Sequence, residues 1–165
     1  MKIEIWSDIA CPFCYMGKRR LEKALEQFPH HKEVHIVFRS FEVDPKAKTD
    51  VDMDVYDMLS AKYGISREQA IAMNAQIAEQ GRELGLIYRF DTLILTNTFD
   101  AHRLTHWAAR HGKQKEMTEH LFQAYFTDSL HIGKHETLVE LAADVGLERA
   151  EAADMLKGEL FAEEV

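Results

Sequence analysis

The feature that most constrains this fold is a short alternation of apolar and polar residues, 2–7, that leads into Cys11-Pro12-Phe13-Cys14 and then a helical pattern. Period-two alternation predicts a strand. Pro12 suits the first turn of a helix, where a missing N–H costs nothing, and Pro29 predicts the helix end. Leu21, Ala24, Leu25 and Phe28 form its expected apolar stripe. VHIVFRSFEV (34–43) alternates more clearly, with β-branched and aromatic residues throughout, and predicts a second strand. Strand, helix, strand is the unit that joins two parallel strands by a right-handed crossover. The chain therefore reads as α/β.

After DPKAKTD (44–50) the apolar period moves to about 3.6. Helices are predicted over 52–63, stopping at Gly64, and from Ser66, whose partner three residues on is Gln69, to near Gly85. LIYRFDTLILTN (86–97) reads as irregular and partly extended. Asn97 or Thr98 caps a helix that ends at Gly112, and further helices are predicted over 114–129, 135–145 and 148–157. No repeat, low-complexity tract or linker interrupts them. Two parallel strands are too few for a stable sheet, and nothing beyond residue 100 reads as a third. The sheet is expected to be completed by residues outside this chain or by another chain, as in a dimer or domain swap.

The 165 residues, 46 % of them hydrophobic, suffice for one globular core. With 20 basic against 28 acidic residues, the surface field repels phosphate backbones and anionic membranes, so neither nucleic acid nor membrane is an expected partner. No apolar run approaches the roughly 18 residues of a membrane span, and the amino terminus reads as a strand rather than a signal peptide; the expected location is cytoplasmic. Two cysteines two residues apart do not make a disulfide scaffold. In a reducing compartment such a pair is catalytic or metal-binding more often than structural.

At a helix amino terminus the chemistry of the pair follows from its spacing. Residues i and i+3 of a first turn come within the roughly 4.4–6.8 Å between Cα atoms that a disulfide needs, so the bond can open and close with little backbone movement. Unpaired N–H groups and the helix dipole favour a thiolate at Cys11, and such sites lower a thiol pKa to roughly 3.5–7.5. Cys11 is the expected nucleophile. Cys14, one turn inside and expected to be less exposed, is the resolving thiol that releases product. Pro12-Phe13 adds no charge.

WSDIACPFCYMGKRRLE (6–22), with a strand ending in FEVDP, a long helical stretch and NTFDAHRL (97–104), resembles the DsbA-like thioredoxin-fold oxidoreductases, and among them the cytosolic FrnE-like branch. The likeness runs along essentially the whole chain. It implies a thioredoxin-like fold with a large all-helical insertion after the second strand: 1–48 as the β-α-β part, 49–147 as the insertion and 148–165 as the helix leading back toward the sheet. It also implies dithiol–disulfide exchange with protein or small-thiol substrates, with Cys11 attacking, Cys14 as its partner and Pro12-Phe13 as the variable dipeptide. No cofactor is implied; glutathione or another thiol serves as the electron partner. The family places a cis-proline loop, two more strands and a closing helix after its insertion. Here the prolines are Pro12, Pro29 and Pro45 only, so the chain, ending in GELFAEEV, is expected to be C-terminally truncated.

Two other readings use the same residues. Kappa-class glutathione transferases and hydroxychromene-carboxylate isomerases share the architecture, but characteristically carry serine where Cys11 stands. Cys11-x2-Cys14 followed by His30-x4-His35 falls within the loose spacing of a Cys2His2 zinc module, although Pro29 and the strand pattern around His35 oppose a helix bearing both histidines. His102 and His106 share a helix face but lack a third ligand, and are expected to serve packing or the surface. Asp8 either accepts a thiol proton or caps the helix start. Lys18, Arg19 and Arg20 read as a solvated face, with Lys18 placed to bias Cys14. Trp6 is expected in the core and Phe13 at the surface, where it can meet a peptide. Met53, Met58 and Met73 are expected to line the core or a groove.

Overall fold

The computed structural model describes residues 1–165. Strands β1 (Lys2–Ser7) and β2 (His35–Ser40) pair in parallel, from Lys2 opposite His35 to Ser7 opposite Ser40. Helix α1 (Pro12–Glu26) and a single 3-10 turn, His31–Glu33, carry the crossover between them. Six helices follow: α2 (Val55–Tyr63), α3 (Arg67–Glu83), α4 (Phe99–Arg110), α5 (Gln114–Phe126), α6 (His135–Asp144) and α7 (Arg149–Lys157). This is the expected mixed α/β order, a thioredoxin-like β-α-β unit followed by helices.

Local chemistry sets most boundaries. Asp54 accepts from the Asp57 N–H at 2.9 Å and starts α2 two to three residues later than the apolar pattern alone predicts. Gly64, at φ 65°, ends that helix in a conformation costly for any residue with a Cβ. Ser66 and Gln69 form the reciprocal capping box that opens α3. β2 stops at Ser40, short of the predicted residue 43, because β1 offers no strand partner beyond Ser7. Residues 86–97 form no regular element, yet bury Leu86, Tyr88, Phe90 and Leu93 against the helices.

The core lies among α4–α7. Leu104, Met117, Leu121, Phe122, Leu138 and Leu156 are fully enclosed there. Helix α1 joins them through its first turns only: Tyr15 stacks on Phe122 at 4.8 Å with the rings 5° from parallel, and Met16 is completely buried. Three sequence expectations are corrected here. Trp6 is 63 % exposed, not core, because it sits on a sheet face that nothing covers. The stripe Leu21, Ala24, Leu25, Phe28 is partly or wholly exposed, since two strands offer too little surface to cover a helix of 15 residues. Lys18, read as solvated, is 4 % exposed. Met53 is exposed, while Met58 and Met73 are half-buried. No helix is long and apolar enough to cross a membrane.

Candidate functional site

Cys11 occupies the N-cap of α1 in an extended conformation, φ −98° and ψ 111°, with its N–H donating to the Asp8 carbonyl at 3.2 Å. No side-chain hydrogen bond of ordinary geometry caps the helix. Because proline at N1 has no N–H, the first amides of the helix are those of Phe13 and Cys14, and the Cys14 N–H donates to the Cys11 carbonyl at 3.1 Å. Both thiols are free and half-buried, and Cys14 packs against the core. The neighbouring Cys14 thiol, opposed by burial and helped by the nearby Phe13 and Cys14 amides, holds the Cys11 thiol well below its ordinary range, at about 6. The same pairing, together with burial, pushes Cys14 strongly upward.

The dipeptide between the cysteines is held from the far side. Tyr88 donates its hydroxyl to the Pro12 carbonyl at 2.7 Å, and its ring packs edge-on against Tyr15 and Phe126. Gly81 permits this approach, since a Cβ there would fall 2.5 Å from the Tyr88 ring. Phe13 points outward, 56 % exposed, and Phe41 and Val43 stand exposed on the segment after β2.

Asp8 is 2 % exposed and fully engaged. One oxygen accepts from the Ala10 N–H at 3.2 Å, the Thr98 hydroxyl at 2.8 Å and His102 Nε2 at 3.2 Å; the other accepts from the Val43 N–H at 2.7 Å. Burial pushes this carboxyl up, but the bonds from His102, Val43 and Thr98 outweigh it and leave it below its usual value. Its negative charge in turn works against a thiolate at Cys11.

Lys18 does not turn toward the cysteines. Its ammonium group meets Glu119 on α5 and, at 2.9 Å, Glu22 on its own helix. Glu119 also accepts from the Tyr15 hydroxyl at 2.8 Å and from Arg19 at 2.6 Å, so this cluster bolts α1 to α5. His106 faces the Ser40 hydroxyl at 2.8 Å. The zinc module fails on geometry: His35 opens β2 beside Lys2, whereas the cysteines follow the opposite end of β1, a strand length of about 17–20 Å away. His30 is exposed and lies against Glu33 at 3.2 Å.

Sequence reasoning missed Tyr88, Thr98, His102 and Val43 as neighbours of the pair. The local pattern Leu86-Ile87-Tyr88-Arg89-Phe90 has no clean apolar alternation that singles out Tyr88. Thr98 read as a helix cap, but its hydroxyl goes to Asp8 while Asn97 accepts from the Phe99 N–H at 2.8 Å.

The model of the DSBA-like thioredoxin domain matches residues 2–165. The uncharacterized protein YwbO of Bacillus subtilis (strain 168) is 30 % identical over 149 residues, which cover 90 % of this chain and 68 % of that protein. The crystal structure of the probable DsbA oxidoreductase SCO1869 from Streptomyces coelicolor superposes with a TM-score of 0.95 at 43 % identity, over 100 % of this chain and 71 % of the other. The cytosolic disulfide reductase DsbM of Pseudomonas aeruginosa shares the fold, at a TM-score of 0.64 and 15 % identity over 96 % of this chain and 72 % of its own.

Proposed function

The chain belongs to the DSBA-like thioredoxin domain family, and on that footing we propose that it is a thiol–disulfide oxidoreductase working through Cys11 and Cys14. The observation that carries this reading is the placement of Cys11 at the N-cap of α1 with a second free thiol, Cys14, in the first turn, an arrangement that favours the thiolate at Cys11 and the proton on Cys14. At neutral pH the first sulfur is then a nucleophile and the second a reserve.

The Cys11 thiolate attacks one sulfur of a substrate disulfide; that S–S bond breaks, and the departing substrate sulfur takes up a proton. Cys14 loses its proton and attacks the Cys11 sulfur, which releases the second substrate thiol. Two electrons have passed to the substrate, and the pair is left as a disulfide. Run in reverse, an oxidised pair accepts a substrate thiolate and oxidises it. No bound cofactor enters the cycle; glutathione or a similar thiol restores the pair, and Pro12 and Phe13 meet the substrate, a protein or small molecule carrying a thiol or disulfide. DsbM, which shares this fold, has been solved with GSH. In this reading residues 1–48 carry the redox pair, 49–147 form the helical insertion, and the protein works in the cytoplasm.

Disulfide reduction with a thiol as electron source tests it. Cys11→Ser is expected to abolish turnover, and Cys14→Ser to stall as a mixed disulfide visible by intact mass. Full turnover by Cys14→Ser would instead favour a glutathione-binding enzyme of the kappa type. Full turnover by Cys11→Ser would remove the redox reading altogether.

A further inference from the structure

We infer that His102 on α4 and Thr98 at its N-cap are positioning residues for the redox pair, acting through Asp8. The inference rests on the oxidoreductase reading for its significance but on separate geometry. Asp8 stands three residues before Cys11, and a carboxylate this thoroughly buried imposes its charge on a neighbouring thiolate with little screening. Something must hold and offset that charge if Cys11 is to ionise.

Four donors do so. The Ala10 and Val43 amides are backbone groups, present whatever the side chains. The other two, Thr98 Oγ1 at 2.8 Å and His102 Nε2 at 3.2 Å, are side chains of the residue that caps α4 and of its first turns. His102 is itself 3 % exposed and Thr98 4 %, so neither bond competes with water. Only the imidazole among the four can also carry positive charge. Both side chains lie more than eighty residues along the chain from the cysteines, in the helical part, which thereby reaches under the redox pair.

The titratable groups around this carboxylate are few. Cys11 and Cys14 stand at the start of α1, the segment after β2 contributes Glu42, residues 86–97 contribute Tyr88 beside the cysteines, α4 contributes His102, and α5 contributes Tyr125. Glu42, with one buried oxygen that finds no partner, is pushed up by burial. Tyr125 is likewise pushed up by burial, and Asp8 is the carboxylate whose charge opposes ionisation of both cysteines.

The test is the ultraviolet thiolate absorbance of the reduced full chain against pH. His102→Gln keeps a donor in place but substitutes a side chain that cannot take up a proton, and is expected to raise the Cys11 midpoint, cutting the thiolate fraction near pH 6 by about three- to tenfold. Thr98→Val is expected to act in the same direction and less. Asp8→Asn is expected to lower the midpoint, and in that background His102→Gln has nothing left to act through, so its effect vanishes. A purely structural role would move Asp8→Asn and His102→Gln the same way. That result, or a wild-type midpoint in both folded His102→Gln and Thr98→Val, overturns the inference. If His102→Gln does not fold, Thr98→Val alone decides. Wild-type turnover and Cys11→Ser judge the oxidoreductase reading, so either idea can fail while the other stands.

Discussion

The β-α-β unit and the helices α4–α7 are both rich in apolar residues, yet they bury them very differently. In α5 alone Met117, Leu121, Phe122, Ala124, Tyr125 and Phe126 are enclosed, whereas β1 buries only Ser7 and β2 only Phe38. The difference lies in what stands opposite: each of α4–α7 packs on neighbouring helices, while the two strands have helix on part of one face and no strand on either outer edge. The β-α-β unit is therefore held at one end, by Tyr15 and Met16, by the Lys18–Glu119 cluster and by the Asp8 cage. Cys11 and Cys14 sit at that anchored end. Its geometry depends on side chains that belong to the helices.

The contrast breaks most readily in the core. Phe122→Ala removes a fully buried ring from under Tyr15 and is expected to cost about 3–5 kcal/mol in urea unfolding. Leu21→Ala, in the half-exposed stripe of α1, is expected to cost less than about 1 kcal/mol. Equal costs would show that the two regions are packed alike. Next in size is Glu119→Ala, which leaves Lys18 buried with Glu22 as its remaining carboxylate; a loss of about 2 kcal/mol is expected by the same method. Tyr88→Phe deletes one bond to the Pro12 carbonyl and is expected to cost about 1 kcal/mol, measured by thermal unfolding.

The smallest effect is one of pH. The Cys11 thiol, at about 6 in the folded chain, returns to about 8.5 on unfolding, so the unfolded state binds the extra proton between those values. Stability of the reduced protein relative to Cys11→Ser should therefore be fully present above about 8.5 and be lost as pH falls through about 6. Cys14, held protonated, does not titrate in that window. Urea midpoints of both proteins at pH 5.5 and 8 check the sign. Solvent around the half-buried sulfur keeps the effect small.

Legibility followed the range of the interaction. Ser66 with Gln69, Gly64, and Pro12 beside two cysteines act within one turn of backbone, and each was read where it stands. Trp6 and Lys18 were misread for one reason. An alternating strand does not say which face will be covered, and a basic run does not say that Glu119, about a hundred residues on, will draw one of its members inside. The two-strand shortage is visible in the sequence alone, because it is a matter of counting hydrogen-bonding edges.

The amino-acid order by itself determined the elements, their sequence along the chain and the Cys-Pro-Phe-Cys tetrad at a helix start, since caps, periodicity and proline geometry are decided by near neighbours. Only the tertiary structure decided which apolar side chains are sheltered, how Asp8 is shared among three segments and which residues of α4 stand behind the sulfurs. Those depend on surfaces far apart in sequence meeting in space, and on a buried charge finding its donors wherever the fold brings them.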